Sequence, residues 1–160
     1  MTIPIGPTAT AVDALRDKVR ALLPTRAVDL VNGAEVYDGP APEKAYAPRW
    51  AAVAAAFETN EGGVQDAVTV ERTESGARPN VTERFTVACS AYAGGGGLSL
   101  EDNRAAAGRL LTAIDAGLRA DRTLGGAVNM ARVGTASWGQ IRDNGTAAII
   151  NFTVDLMVLS

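Results

Sequence analysis

The sequence predicts an α/β protein of the α+β type, in which two helices pack on a mixed or mainly antiparallel sheet. Two stretches carry apolar residues at helical spacing, and several shorter stretches alternate apolar and polar residues with the period of a strand. The chain has 160 residues, which is the size of one domain with a buried core. We therefore interpret residues 1–160 as a single domain.

The composition excludes several classes of protein. Hydrophobic residues make up 47% and charged residues 21% of the chain, as in ordinary globular proteins. The net charge of −3 disfavours sequence-specific nucleic-acid binding. No apolar run approaches the roughly 20 residues of a membrane span, and the N-terminus has no signal-peptide pattern. We expect a protein that is made in the cytoplasm and has no membrane partner.

The chain has no histidine, which removes the commonest general base and the commonest metal ligand. An enzyme would therefore have to work through carboxylates, lysine, tyrosine or a cofactor. We find no such motif and expect no catalytic residues, no metal site and no cofactor. Cys89 is the single cysteine. It lies in an alternating apolar run, so we interpret it as a buried, inert thiol rather than a nucleophile.

The first helix follows an N-terminal segment, residues 1–7, that we predict to be an extended arm. Thr8 or Thr10 caps this helix, because a threonine oxygen accepts a hydrogen bond from the first turn. The helix runs to about Leu23, where Pro24 ends it. Its apolar stripe consists of Val12, Leu15, Val19 and Leu22.

Strands are predicted next. Asn32-Gly33 favours a tight turn between strands at 27–31 and 34–37. Prolines in residues 38–49 predict a surface loop, because proline cannot donate a ladder hydrogen bond. The alanine-rich stretch 50–58 fits a helix or a strand, and we favour a strand.

A second hairpin is predicted from residues 64–73 and 81–93, with a surface loop at 73–82. Glycines 94–97 then form a flexible joint. A phosphate-binding loop is the alternative, but the acidic residues Glu101 and Asp102 that follow would repel a phosphate.

Ser99 caps the second helix, which extends to about Ala120. Its buried stripe consists of Leu110, Leu111, Ile114 and Leu118. A strand is predicted at residues 127–133. A loop that contains Trp138 is predicted at residues 134–145.

The C-terminal stretch Thr146 to Leu159 predicts a strand of unusual length, on the order of 45 Å. Its apolar residues alternate with a polar row, Asn151, Thr153 and Asp155. We expect the surplus length and the polar row to contact a neighbouring subunit.

Other candidate interface residues lie around the second hairpin and in the predicted loop at 134–145. Arg72, Arg78 and Arg84 surround the second hairpin and are interleaved with glutamates, which favours a mixed-charge interface over a nucleic-acid site. Trp138 is a candidate because tryptophan is enriched at interface hot spots. Packing of Trp138 on its own sheet is the alternative.

The order of these elements resembles a known family. An amphipathic helix precedes short strands, a second helix, the exit Asp121-Arg-Thr-Leu-Gly-Gly126, a strand, and a closing strand, Ala148-Ile-Ile-Asn-Phe-Thr-Val154. This order resembles the tail terminator (tail completion) proteins of long-tailed bacteriophages. Leu124 in the exit is a further interface candidate.

The resemblance implies a structural virion protein that is not an enzyme. Such proteins form a hexameric ring that caps the tail tube, ends its polymerisation and offers a surface for head joining. The implied partners are further copies of the chain, the tail-tube protein and a head–tail connector protein. DNA would only pass through the lumen. The implied location is the neck end of the virion tail, after assembly in the host cytoplasm.

Two alternatives remain. The chain is another head–tail connector or neck protein, or it is a small ligand-binding or carboxylate-based enzyme domain that uses the glycine joint. Glu71 with Glu74, and Glu101 with Asp102, are the nearest approaches to paired carboxylates. A solvated hairpin end and a helix start explain these two pairs more simply.

Overall fold

The computed structural model describes residues 5–25, 33–42, 48–76, 80–94, 99–141 and 147–159. Within them, two helices pack on one face of a mostly antiparallel sheet, which confirms the predicted fold class. The elements are, in chain order, α1 Ile5–Leu22, β1 Glu35–Asp38, β2 Arg49–Val53, β3 Phe57–Glu58, β4 Val64–Gln65, β5 Val68–Ser75, β6 Asn80–Gly94, α2 Leu100–Ala120, β7 Met130–Ile141 and β8 Ala147–Leu159.

The main sheet has the strand order β1-β2-β6-β8-β7. β1 and β2 are parallel, and the other pairings in this sheet are antiparallel. Two strands share one edge of β6: β2 pairs with its residues 89–93, and β5 pairs with its residues 80–87. β3 and β4 form a separate small sheet.

The long C-terminal strand is confirmed, but its predicted surplus length is wrong. β8 pairs with β6 from Ala147 to Leu159, and with β7 from Ala147 to Met157. The reason is that both neighbours are also long, since β6 has 15 residues and β7 has 12. β8 therefore lies inside the sheet and ends flush with it.

The core lies between the helices and one face of the sheet. α1 contributes Leu15 and Val19, and α2 contributes three buried residues of its predicted stripe, Leu110, Ile114 and Leu118. The sheet contributes the alternating residues of its central strands: Phe85, Val87, Cys89, Ile150, Phe152, Val154 and Leu156. Burial of each large side chain stabilises the fold by about 1.5–3 kcal/mol.

The N-terminal prediction is wrong for residues 5–7, because α1 already begins at Ile5. Thr8 and Thr10 consequently lie inside the helix rather than at the N-cap position before it. Pro7 falls in the first turn, where backbone N–H groups have no intrahelical partner, so the helix accommodates it. Residues 1–4 lie outside the described residues.

Several predicted loops are shorter than expected. Asp38 belongs to β1 and Arg49 to β2, which trims the loop predicted at 38–49. The loop predicted at 73–82 is wrong at both ends, because Thr73 pairs with Thr82 in the hairpin ladder. The predicted strand 27–31 and glycines 95–97 of the predicted joint lie outside the described residues.

Strands form at both ends of the stretch 50–58, as we favoured, because β2 continues to Val53 and β3 begins at Phe57. A bend separates them at Ala54, whose φ is +60°. The loop predicted at 134–145 is wrong as far as Ile141, because β7 continues through it. The register of β7 shifts between Val133 and Ala136, where a bulge places two residues opposite one of β8.

Candidate interaction surfaces

The polar row of β8 is partly covered within its own chain: Asn151 is half-buried and Thr153 is buried, which corrects the prediction of Thr153 as an exposed interface residue. Ser90 Oγ donates to Asn151 Oδ1 at 2.8 Å. Thr153 is only 5% exposed, and its hydroxyl accepts from the backbone N–H of Thr135 at 3.0 Å. Residues of the β3–β4 sheet line a cleft of about 210 Å³ together with Asn151 and Thr153, so this small sheet lies over the row.

Asp155 is the member of the row that stays accessible. It lies in a concavity of about 300 Å³ on the face of the sheet that points away from the helices. Arg84, Glu71 and Arg132 also line this concavity. Arg132 Nε lies 3.7 Å from Asp155 Oδ2, and Arg84 is the cross-strand partner of Glu71. The surface therefore alternates in charge.

The predicted arginine cluster at the second hairpin is divided between two faces. Arg84 points away from the helices, whereas Arg72 is paired with Glu83 in the next register position and lies on the helix side. Arg72 also contacts Glu74 at 3.8 Å. Arg78 lies outside the described residues. The arginines described here each have an acidic neighbour, as the mixed-charge interpretation predicts.

Leu124 is buried in the core of its own chain, so its side chain is not exposed for the interface contact that we predicted. Its side chain is 8% exposed and belongs to the core, in a turn where its φ is +50°. Asp121 organises this turn by accepting from the Gly125 N–H at 3.0 Å and from Lys18 Nζ at 3.3 Å. Partial burial alone would raise the pKa of Asp121, but these contacts and one from Thr123 hold that pKa below its ordinary value.

Trp138 lies in β7, not in a loop, and its side chain is 50% exposed. It is on the helix side of the sheet, because it pairs with the buried Ile150 of β8. A Cβ placed on Gly108 of α2 would lie 3.6 Å from the indole Cη2. The ring therefore contacts α2 with one end and leaves half of its surface open at the edge of the sheet.

The structure brings together an aromatic row that sequence reasoning missed. On the face away from the helices, Trp50 stacks on Tyr92 with ring centroids 4.8 Å apart, and Tyr37 meets Trp50 edge-on at 6.1 Å. The two contacting pairs are 13 and 42 positions apart in the sequence, and only the pairing of β1, β2 and β6 makes these residues neighbours. Partial burial, together with Glu35, raises the pKa of Tyr37.

Two charged clusters at opposite edges of the sheet were also missed. Arg16 of α1 contacts Asp13, Asp17 and Asp38 at 3.1, 3.2 and 2.9 Å. Hydrogen bonds to Asp38 and then Asp17 raise the pKa of Arg16. At the β7 edge, three arginines surround a concavity of about 250 Å³: Arg119, Arg122 and Arg132. Their spacing in the sequence gave no sign of a cluster.

Cys89 is buried, as predicted, with 1% of its side chain exposed. Burial raises the pKa of its thiol to about 12, against a smaller opposing effect of a backbone hydrogen bond at Ala54. The thiol is therefore neutral at physiological pH and has no access to solvent.

The described residues contain no group of three or more acidic or cysteine side chains arranged to hold a metal ion. Neither of the helices that they form has the length and apolar character needed to cross a membrane. Comparison of the chain with models of known protein families and with characterised proteins finds no match.

Proposed function

We propose that this chain is a tail terminator of a long-tailed bacteriophage or a related particle. Copies of it form a ring on the end of the tail tube, which stops polymerisation and offers a surface to a head–tail connector protein. DNA passes through the lumen of this ring without specific contacts. The protein is assembled in the host cytoplasm and ends at the neck of the virion tail. The resemblance in element order supports this function.

The structural observation that carries the proposal is the half-exposed Trp138 on an unpaired sheet edge. Among the described strands, none pairs with the outer edge of β7, and Trp138 exposes 50% of its side chain there. A tryptophan buries a large area at small entropic cost, which suits it to the centre of an interface. The proposed subunit contact therefore includes the β7 edge.

The same edge of β7 has features that disfavour pairing with a strand of another subunit. The bulge after Val133 interrupts the ladder, and the exposed Arg132 places a charge on the edge. An added Cβ at Gly134 in the bulge would lie 2.6 Å from Thr153 Oγ1, so the close approach there needs glycine. Contacts through side chains, repeated head to tail and closing on themselves, suit such an edge better than a continuous sheet between subunits.

β8 offers no strand edge to a neighbouring subunit in this proposal, because it is paired on both sides. The ring contact moves from the strand that the sequence favoured to the neighbouring strand β7. The proposed function is the same, and only the surface that forms the contact between subunits is different.

The test is assembly on isolated tail tubes, followed by negative-stain electron microscopy and native mass spectrometry. We expect rings of the full chain at tube ends and a halt in tube growth. Trp138→Ala should weaken ring formation, whereas Val64→Ala, which trims a 66% exposed apolar side chain elsewhere, should leave it unchanged. The proposal would be refuted if the protein stays monomeric at high concentration and does not bind to the ends of tail tubes. Binding to the connector alone would favour a different neck protein.

A further inference from the structure

One edge of the molecule is acidic. Around Arg16, the carboxylates of Asp13, Asp17 and Asp38 expose 57%, 65% and 49% of their side chains, whereas Arg16 exposes 20%. This acidic edge therefore presents three carboxylates against one guanidinium that is largely enclosed by them. Including the exposed Arg20 and Glu35 leaves four carboxylates against two guanidinium groups.

The opposite edge is basic. Arg119, Arg122 and Arg132 surround a concavity of about 250 Å³, whose apolar lining comes from Leu118, Ala131 and Val133. Two carboxylates contact these arginines: Asp115 lies 3.1 Å from Arg119, and Asp155 lies 3.7 Å from Arg132. This basic edge as a whole presents three guanidinium groups against two carboxylates: Arg119 and Arg122 with Asp115 on the helix side, and Arg132 with Asp155 on the opposite face. Arg119 and Arg132 expose 73% and 64% of their side chains.

The two edges lie at opposite ends of one sheet. β1, which carries Asp38, is the first strand in the sheet order, and β7, which carries Arg132, is the last. α1 lies beside β1, where Arg16 meets Asp38. α2 packs over the central strands β6 and β8 and reaches β7, where Trp138 lies over Gly108. Each end thus presents one strand edge and one helix flank, with opposite net charge.

We propose that the acidic edge of one copy docks on the basic edge of the next copy. The contact is heterologous, since two different surfaces meet, and repetition of such a contact closes a ring when the rotation allows it. This inference rests on the proposed function and names the two surfaces that join the subunits. The carboxylates of Asp13 and Asp17 enter the concavity between Arg119 and Arg122, which lies farther along the β7 edge than Trp138.

The chemistry of the basic edge selects a polypeptide partner over a nucleic acid. Asp115 and Asp155 stand within contact distance of two of the arginines and would repel a phosphate backbone. The chain as a whole carries a charge of −3, which opposes binding of a polyanion. A surface of carboxylates interspersed with a guanidinium, such as the acidic edge, matches the mixed charges of the concavity.

The role of these charges is to orient the subunits. An exposed ion pair contributes about 0–1 kcal/mol, so no single pair holds a ring together. Complementary charges raise the association rate and fix which surfaces meet, while like charges brought together are strongly unfavourable. Charge reversal is therefore a sharper probe than neutralisation.

Two reversed variants of the full chain test the inference. The first, Arg119→Glu with Arg122→Glu, makes both edges acidic. The second, Asp13→Lys with Asp17→Lys, makes both edges basic. We expect each variant alone to associate roughly tenfold or more weakly than the wild type, because like charges then face each other. Mixed in equal amounts, they should assemble again, since each acidic edge then finds a basic one. Sedimentation velocity and native mass spectrometry measure association.

Arg104→Glu with Arg109→Glu is the matched control. It makes the same change in net charge on the same helix, at two exposed positions outside the basic edge, and should associate like the wild type. Circular dichroism checks that each variant is folded.

The outcomes separate this inference from the proposed function. If wild-type rings form and both reversed variants assemble normally on their own, or if mixing fails to restore assembly, the inference is wrong and the ring proposal stands. A wild-type chain that never assembles and never binds tube ends overturns both. Short DNA that binds the wild type but not the Arg119→Glu, Arg122→Glu variant would overturn the assignment of the basic edge to a second copy.

Discussion

Cys89 illustrates how burial sets the chemistry of a single side chain. The thiol is 1% exposed, and its pKa is raised from 9.0 to about 12. We expect Ellman's reagent at pH 8 to label Cys89 only in step with unfolding, because the reactive thiolate is both absent and inaccessible in the folded chain. Labelling in urea provides the control. Rapid labelling of the native protein would contradict the burial.

The same shift has a consequence for stability at alkaline pH. The unfolded thiol releases its proton near pH 9, while the folded thiol holds it to about pH 12. The contribution of this group to stability is therefore complete below pH 9 and declines as the pH rises towards 12. Cys89→Ala should therefore lose less free energy of unfolding between pH 8 and pH 10 than the wild type. Urea denaturation at the two pH values measures this difference.

The polar row of β8 shows what a sequence pattern can predict for individual residues. Alternation correctly placed Asn151, Thr153 and Asp155 on one face, because side chains in a strand alternate. It could not reveal that the β3–β4 sheet lies over two of them, since that sheet is formed by residues some 90 positions earlier. Burial of a polar residue depends on this distant contact.

At the scale of one element, α2 contains two glycines in different surroundings. An added Cβ at Gly117 would fall into the Leu22 side chain, 2.8 Å from its Cγ, whereas one at Gly108 would meet only Trp138 at 3.6 Å. Alanine favours a helix interior over glycine by about 0.5–1 kcal/mol. We expect Gly108→Ala to raise the free energy of unfolding by that amount.

Gly117→Ala should instead lower the free energy of unfolding by about 1 kcal/mol, because overpacking against Leu22 outweighs the gain in helix propensity. Urea denaturation measures both variants, and each serves as the control for the other. Combining Gly117→Ala with Leu22→Ala should cost less than the sum of the two single changes. Equal stabilisation by both glycine substitutions would contradict the close contact between α1 and α2.

The elements that the sequence predicted well are those whose own residues determine them. α2 has a capping serine, an acidic first turn and a regular stripe, and its ends agree with the structure. β7 was misjudged because Gly134, Gly139 and the hydroxyl residues of this stretch are typical of a loop. Pairing with β8 overrides that preference and extends the strand to Ile141.

At the scale of the whole molecule, β6 and β8 join all strands of the main sheet into one unit over a single core. Trp50 reports on the β1–β2 side and Trp138 on the β7 side. The variants Trp50→Phe and Trp138→Phe each keep a single tryptophan. For each variant, we expect the unfolding midpoint measured by tryptophan fluorescence to equal the midpoint measured by far-UV circular dichroism. Separate midpoints would indicate two independently unfolding halves.

The arrangement of the strands was the largest gap in what the sequence predicted. Helix and strand types follow from local periodicity, but the parallel pairing of β1 with β2 and the sharing of one edge of β6 depend on long-range contacts. The positions of the candidate surfaces depend on the order of the strands in the sheet. The charged edges and the aromatic row become visible only when β1 and β7 are known to lie at opposite ends.

β2 and β5 run in the same direction along β6, and their registers are continuous: Val53 pairs with Cys89, and Val68 pairs with Val87. Between them, Ala88 accepts from the Ala55 N–H and donates to the Ala67 carbonyl, at 3.0 and 2.9 Å. The two strands thus behave as one broken strand, with residues 54–67 as an excursion closed at its base. This excursion is a natural point for inserting a peptide tag or another small domain, because new chain can leave and return there without disturbing the ladder.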